Sequence, residues 1–262
     1  MRFAINVPPF TDPREIVEMG EQAEEAGWDA VMAWDHLQWI PSLELDVHDP
    51  WALLSALAVR TERVLLGTCV TPLSRRRPQV VARQLVTLDH LSGGRAMLGV
   101  GLGEPPDGDF EAFGDESDPK IRAERLDEAL EVVDGLVRGR AVDHAGPHFT
   151  VRARLQPPAL RRPRPPILVA GIAPHRRPLE RALRWDGFFP IGSDGPLTPE
   201  QIAEYLDGVE RPPGWELYAP CHPDHETGAY EEVGVTCLVE GAWPGPGWVE
   251  EFRGRIAAGP HR

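Results

Sequence analysis

Hydrophobic positions along the chain gather into short runs, and amphipathic stretches separate them from one end to the other. The apolar runs cover residues 3–7, 29–33, 63–70, 95–101, 166–171, 187–191, 216–220 and 235–239, each a length suited to a buried strand. The stretches between them carry helix-start signals. Asp12-Pro13 predicts a helix through about residue 26, Asp49-Pro50 a second through about 60, and Pro78 a third that Ser92-Gly93-Gly94 closes. Asp118-Pro119 opens the longest, through about 138, and Thr198-Pro199 opens another. Before Pro13, Pro50, Pro119 and Pro199 an oxygen-bearing cap can accept from unpaired N–H groups of the first turn. Proline fits the first helical position because its missing N–H would have had no partner there.

Eight strand–helix units in about 250 residues predict an α/β fold, a single (β/α)8 TIM barrel domain over residues 1–262. A doubly wound sheet would need a glycine-rich phosphate turn after the first strand. That turn reads NVPPFTDP, which is rich in proline. Gly99-Val100-Gly101-Leu102-Gly103 follows the fourth strand instead and lacks the third glycine of the dinucleotide fingerprint. Residues 144–166 (HAGPHFTVRARLQPPALRRPRPP) have no helical pattern and predict a small hairpin and proline-rich linker inserted in the fourth unit. Residues 209–233 predict a shortened seventh unit.

Charge and composition then remove several classes. With 27 basic and 41 acidic residues the net charge is -14, which argues against nucleic acid as a partner. No apolar run reaches the roughly 20 residues of a membrane span, and MRFAINVPPF has no apolar signal core, so the expected location is cytoplasmic. Three scattered cysteines give no disulfide framework. Lys120 is the only lysine and lies at a helix start, which disfavours Schiff-base and Walker-type chemistry.

In a barrel the chemistry sits just after each strand, at the C-terminal face. The candidates after the second strand are Trp34, Asp35, His36 and Trp39. Those after the third are Cys69, Val70 and Thr71, followed by Arg75, Arg76 and Arg77. Gly101, Leu102, Gly103 and Glu104 follow the fourth, and Ala170, Gly171 and Ile172 the fifth. His36 and Glu104 read as an acid–base pair, since a histidine titrates near neutral pH and a partly buried carboxyl can be tuned toward it. Trp34 and Trp39 are placed to stack a planar ring. The glycines at 99, 101 and 103 would let a flat ligand approach the barrel mouth. Ala170-Gly171, with the helix opening near Arg176, reads as an anion site, and the Arg75–Arg77 run would add positive charge. Cys221-His222-Pro223-Asp224-His225 lacks a partner pair at zinc spacing, so no metal is expected. Asp89-His90 is expected to cap a helix end. On these residues alone, a non-redox lyase or hydrolase using His36 and Glu104 stays open, as does a catalytically silent cofactor-binding barrel.

Three stretches add a resemblance. LGTCVTPLSRRRPQVVARQLVTLDHLSGGRAMLGVGLGE (66–104), AWDHLQW (33–39) and ILVAGIAPHRRPLERALRWDGFFP (167–190) resemble the luciferase-like monooxygenase superfamily, barrels that use a flavin or the deazaflavin coenzyme F420. The resemblance implies an oxidoreductase or monooxygenase acting on a small organic substrate, by hydride transfer or by oxygenation with reduced flavin. It leaves FMN and F420 open as the cofactor and implies a homodimer. It also implies that His36 and Glu104 flank the transfer site, with Trp39 beside the substrate, one residue earlier than in the family. Cys69-Val70 matches a strand-end bulge with a non-proline cis peptide, and Gly101, Leu102, Gly103, Gly171 and Ile172 match positions near cofactor ring or phosphate. The family's long insertion in the seventh unit is missing here.

Overall fold

The computed structural model describes residues 1–221 and 226–261. Its first half runs β1 (Arg2–Val7), α1 (Pro13–Glu25), β2 (Ala30–Ala33), α2 (Pro50–Ala58), β3 (Leu65–Pro72), α3 (Pro78–Leu91) and β4 (Ala96–Gly101). A short α4 (Pro106–Asp109) and a 3-10 turn at Glu111–Phe113 precede the long α5 (Pro119–Val137). The hairpin β5 (Val142–Ala145) and β6 (Thr150–Ala153) follows, then β7 (Ile167–Ile172), α6 (Arg176–Ala182), β8 (Gly187–Ile191) and α7 (Pro199–Tyr205). The chain ends with β9 (Glu216–Pro220), α8 (Thr227–Glu232), β10 (Cys237–Gly241) and α9 (Trp248–Ala257).

Strands β1, β2, β3, β4, β7, β8, β9 and β10 close in that order into a parallel barrel, with β10 pairing back to β1. Alternate side chains go to opposite faces of each strand, so every strand feeds two cores. Ala4, Ala30, Met32, Met97, Leu168, Phe189, Tyr218 and Val239 fill the lumen. Val31, Leu66, Leu98, Val169, Phe188 and Leu217 face outward against Leu54, Leu85, Leu130, Ile202 and Phe252 of the helices. Burial on both faces explains why the strands read as continuous apolar runs. The caps form as their chemistry requires: Asp12 accepts from the Arg14 amide, Asp49 from Ala52, and Asp118 from Lys120 and Ile121. Thr198 and Gln201 make a reciprocal capping box.

Three differences from the sequence pattern have physical causes. Strand β10 starts two residues late, because the Val235 amide donates to the Tyr230 carbonyl and still belongs to the turn after α8. Strand β3 continues to Pro72 past a register shift between Thr68 and Thr71. Asp89 does not cap its helix end. It is buried, and its Oδ2 accepts from the amides of Leu160 at 2.6 Å and Arg161 at 3.0 Å, fastening the linker after the hairpin to α3. The sequence pattern had no element over residues 105–117, where α4 and the 3-10 turn lie. No helix among the described residues is long and apolar enough to cross a membrane.

Asp89→Ala removes the acceptor of two amides and is expected to lower the unfolding free energy by about 1–3 kcal/mol. Hydrogen exchange should show faster exchange at Leu160 and Arg161. Unchanged protection at both amides would show that Asp89 is not what holds the linker.

Candidate active site

The C-terminal ends of the strands surround a cavity of about 540 Å³, within the usual range for small-molecule sites. Its two sides differ in chemistry. One is aromatic and comes from the loops after β2 and β10, backed by Phe10 from the loop after β1, which lies between them in the barrel. Phe10 stacks on Trp39 with centroids 5.0 Å apart and 19° between planes, Trp34 meets Phe10 edge-on at 5.8 Å, and Trp243 meets Trp39 at 5.1 Å. His36 stands inside this group, 5.9 Å from Trp34 and 6.2 Å from Trp39. The other side is a shelf of small or aliphatic residues: Gly101, Leu102 and Gly103 after β4, and Ala170, Gly171 and Ile172 on β7. Cys69 and Val70 lie between the two sides, and the peptide joining them is cis.

The bulge at Cys69-Val70 explains the glycines of β4. A Cβ on Gly99 would lie 2.2 Å from the Thr68 carbonyl oxygen, and one on Gly101 would lie 2.8 Å from the Val70 side chain. These glycines make room for β3, and the flat shelf follows from that. Gly103 has φ 86°, a left-handed conformation that glycine adopts without steric cost. Burial pushes the Cys69 thiol up to about 12, so it is a neutral, inert group in the cavity wall.

His36 is held by Asp109, a residue that sequence reasoning missed. The His36 Nδ1 lies 2.6 Å from Asp109 Oδ2, while Asp109 Oδ1 accepts from the amides of Leu37 at 2.9 Å, Gln38 at 3.0 Å and Trp39 at 3.2 Å. Arg75 adds an ion pair at 3.2 Å. Burial pushes the Asp109 pKa up, but the His36 hydrogen bond and charge, the Gln38 amide and Arg75 outweigh it and lower it to about 2. An ionised Asp109 fixes the proton on Nδ1 and leaves Nε2 as the nitrogen available to the cavity. The same contacts hold Trp39 at φ 62°, a left-handed value that costs of order 1–3 kcal/mol for a non-glycine residue. Gly108 lets α4 come this close, since a Cβ there would lie 2.0 Å from the Trp39 carbonyl oxygen.

The structure corrects several sequence expectations. Glu104 lines the mouth, but its side chain is 62% exposed and lies 3.6 Å from Arg122; the buried carboxyl beside His36 is that of Asp109. Arg75 is 3% exposed and bound by Asp35 and Asp109, so it does not offer its charge to a ligand. Asp35 is buried and accepts from Arg75, Arg76, Thr71 and the Trp51 indole, so its carboxylate and the Thr71 hydroxyl hold the scaffold together. Arg176 lies outside the main cavity, in an adjacent groove of about 500 Å³, and donates to the Tyr205 carbonyl. Gly171 is small for packing: a Cβ there would lie 2.1 Å from Pro178.

Arg122, His175 and Trp243 also line the cavity and were not foreseen. Trp243 was findable by looking just after the last strand. Asp109 was not, because PPDGDF gives no reason to choose it over Asp107. The cluster at Cys221 to His225 lies mostly outside the described residues, at 222–225.

A family model described as luciferase-like monooxygenase matches residues 1–212. The chain belongs to the luciferase-like monooxygenase family. Among its luciferase-like relatives is an F420-dependent glucose-6-phosphate dehydrogenase of Microbacterium testaceum, 33% identical over 229 residues, covering 82% of this chain and 66% of that protein. Other dehydrogenases of that name match with only 42% of their length covered, so the chain spans less than two thirds of these relatives. A monooxygenase from Streptomyces bottropensis shares the barrel at a TM-score of 0.72 and 26% identity, over 98% of this chain and 79% of that one. An F420-dependent secondary alcohol dehydrogenase superimposes at 0.76 with 18% identity, over 98% and 99% of the two chains, which is a likeness of fold.

Asp109 is ionised in the folded protein well below the pH at which an exposed aspartate protonates. Its stabilisation is therefore complete above the ordinary value of 3.8 and is lost as pH falls toward about 2. Denaturant unfolding of the wild type should lose stability more steeply between these values than Asp109→Asn does. Asp109→Ala, which leaves Arg75 buried with one partner, should cost about 3–5 kcal/mol at neutral pH. Equal pH slopes in wild type and Asp109→Asn would show that Asp109 is not ionised in the fold.

Proposed function

We propose that this chain, with residues 1–262 acting as one barrel domain, is an oxidoreductase that holds coenzyme F420 in its main cavity and moves a proton at the substrate through His36. The observation that carries the reading is His36 fixed by Asp109 through Nδ1, its Nε2 left to a cavity whose far side is a side-chain-poor shelf. That shelf fits a flat ring: Gly101, Gly103, Ala170 and Gly171 bring backbone rather than side chains to it, and Val70 lies beside it. Sequence relatives named as F420-dependent dehydrogenases support F420 over FMN.

When bound, F420 supplies hydride transfer at its ring, whereas reduced FMN would supply activation of dioxygen. The chain supplies the rest. The shelf orients the ring, and Trp34, Trp39 and Trp243 confine the substrate and keep water from it. Nε2 of His36 takes or returns the proton at the substrate oxygen, because Asp109 occupies Nδ1–H. Glu104 stays in the reading as a mouth residue paired with Arg122. The groove lined by Ala173, Arg176 and Ser193 is where an anionic cofactor tail would run. A homodimer belongs to the same reading, and α2 with its C-cap residue offers it a solvent face of Ala52, Ala56 and Val59.

Fluorescence titration with F420 and with FMN, each oxidised and reduced, tests the proposal. F420 is expected to bind at least about tenfold more tightly than FMN, a difference of about 1.4 kcal/mol. His36→Ala should keep that affinity within a few-fold and lose about 100- to 10,000-fold in turnover. Binding of neither cofactor would overturn the redox reading, and full turnover in His36→Ala would overturn the role of His36.

A further inference from the structure

Resting on that reading of the site, we infer that its substrate is an uncharged molecule, an apolar ring or chain bearing one hydroxyl or carbonyl, and not a phosphorylated sugar. The inference comes from the wall that surrounds His36. Trp34, Trp39 and Trp243 present ring surface to the cavity with Phe10 stacked behind Trp39, and among these side chains His36 is the one able to exchange a proton with a substrate oxygen. The arginines nearby are held by the protein itself, and His175, the other imidazole of the lining, stands on the loop after β7. Arg75 is bound between Asp35 and Asp109. Arg122 donates to the Gly103 carbonyl and lies over the Phe110 ring at 4.7 Å. Arg181 is bound through two nitrogens to Asp127.

The wall offers no carboxylate to a cationic ligand either, since Asp35 and Asp109 are fully buried under Arg75 and Arg76. Glu104, exposed at the mouth, acts against an approaching phosphate. The rim is apolar as well. Ile172 at the end of β7 and Trp243 after β10 line the cavity and are exposed, Trp243 to 71%, and Leu37 and Phe113 are exposed on the loops after β2 and β4. Large apolar side chains left in water around a cavity mark where an apolar ligand enters.

Calorimetric titration with cyclohexanol and with glucose 6-phosphate tests this, on protein without cofactor and on protein saturated with F420. Cyclohexanol is expected to bind saturably in at least one of the two forms. Trp243→Ala, a change at an exposed position that leaves the fold intact, should weaken it by about fivefold or more. Glucose 6-phosphate should show no saturable binding in either form. Saturable binding of glucose 6-phosphate, absence of cyclohexanol binding from both forms, or cyclohexanol affinity unchanged in Trp243→Ala would overturn the inference. The cofactor-free titration separates the two proposals. Alcohol binding by a protein that takes no cofactor would sink the redox reading and leave this subsite standing, while F420 binding together with glucose 6-phosphate binding would do the reverse.

Discussion

Arg75 is buried between two carboxylates, Asp35 at 3.2 Å and Asp109 at 3.2 Å, and through this contact three loops of the barrel mouth become one body. Asp35 follows β2, Arg75 follows β3, and Asp109 ends the short helix after β4. Arg76 adds a second cation to Asp35 at 2.5 Å. A buried ion pair adds little net stability over a well-packed apolar substitute, yet losing one partner is costly because the other charge is stranded. Its value here is geometric: the carboxylate that neutralises Arg75 also holds His36 and the three amides that follow it. The position of the imidazole is thus set by the strand ends.

The second constraint is steric. The bulge in β3 pushes Thr68 O and Val70 toward β4, and β4 accepts it only where side chains are missing, at Gly99 and Gly101. The shelf that would receive a flat ring is a by-product of strand packing. Gly171, with Pro178 filling the space of its missing side chain, does the same for β7 and α6. Ligand approach and packing therefore cannot be separated at these positions by looking at sequence.

That is also where the limits of reading the chain lie. The barrel was legible, because eight apolar runs and Asp-Pro or Thr-Pro helix starts are local signals. The mouth residues were legible for the same reason, since they directly follow those runs. What each one does was not. Arg75, Asp35 and Thr71 follow their strands as binding residues would, but their partners are one another, and partner choice depends on loops that meet only in three dimensions. Asp109 lay in a proline-rich stretch without periodicity, so nothing local marked it as the group that orients His36. Glu104 reads as the tuned carboxyl because it follows the fourth strand, whereas the buried carboxyl beside His36 is Asp109, held ionised by His36, Arg75 and backbone amides.

The two sides of the cavity then divide the work by their chemistry. The shelf carries no titratable side chain at Gly101, Leu102, Gly103, Ala170 or Gly171, and the thiol beside it at Cys69 stays neutral up to about pH 12. Behind the aromatic wall, Asp109 stays ionised down to about pH 2. Between these limits neither group gains or loses a proton, so within the aromatic wall the exchange of a proton falls to His36, while Glu104 and His175 stand elsewhere on the lining. Such a site suits chemistry in which a cofactor handles the electrons and the imidazole held by Asp109 handles the proton.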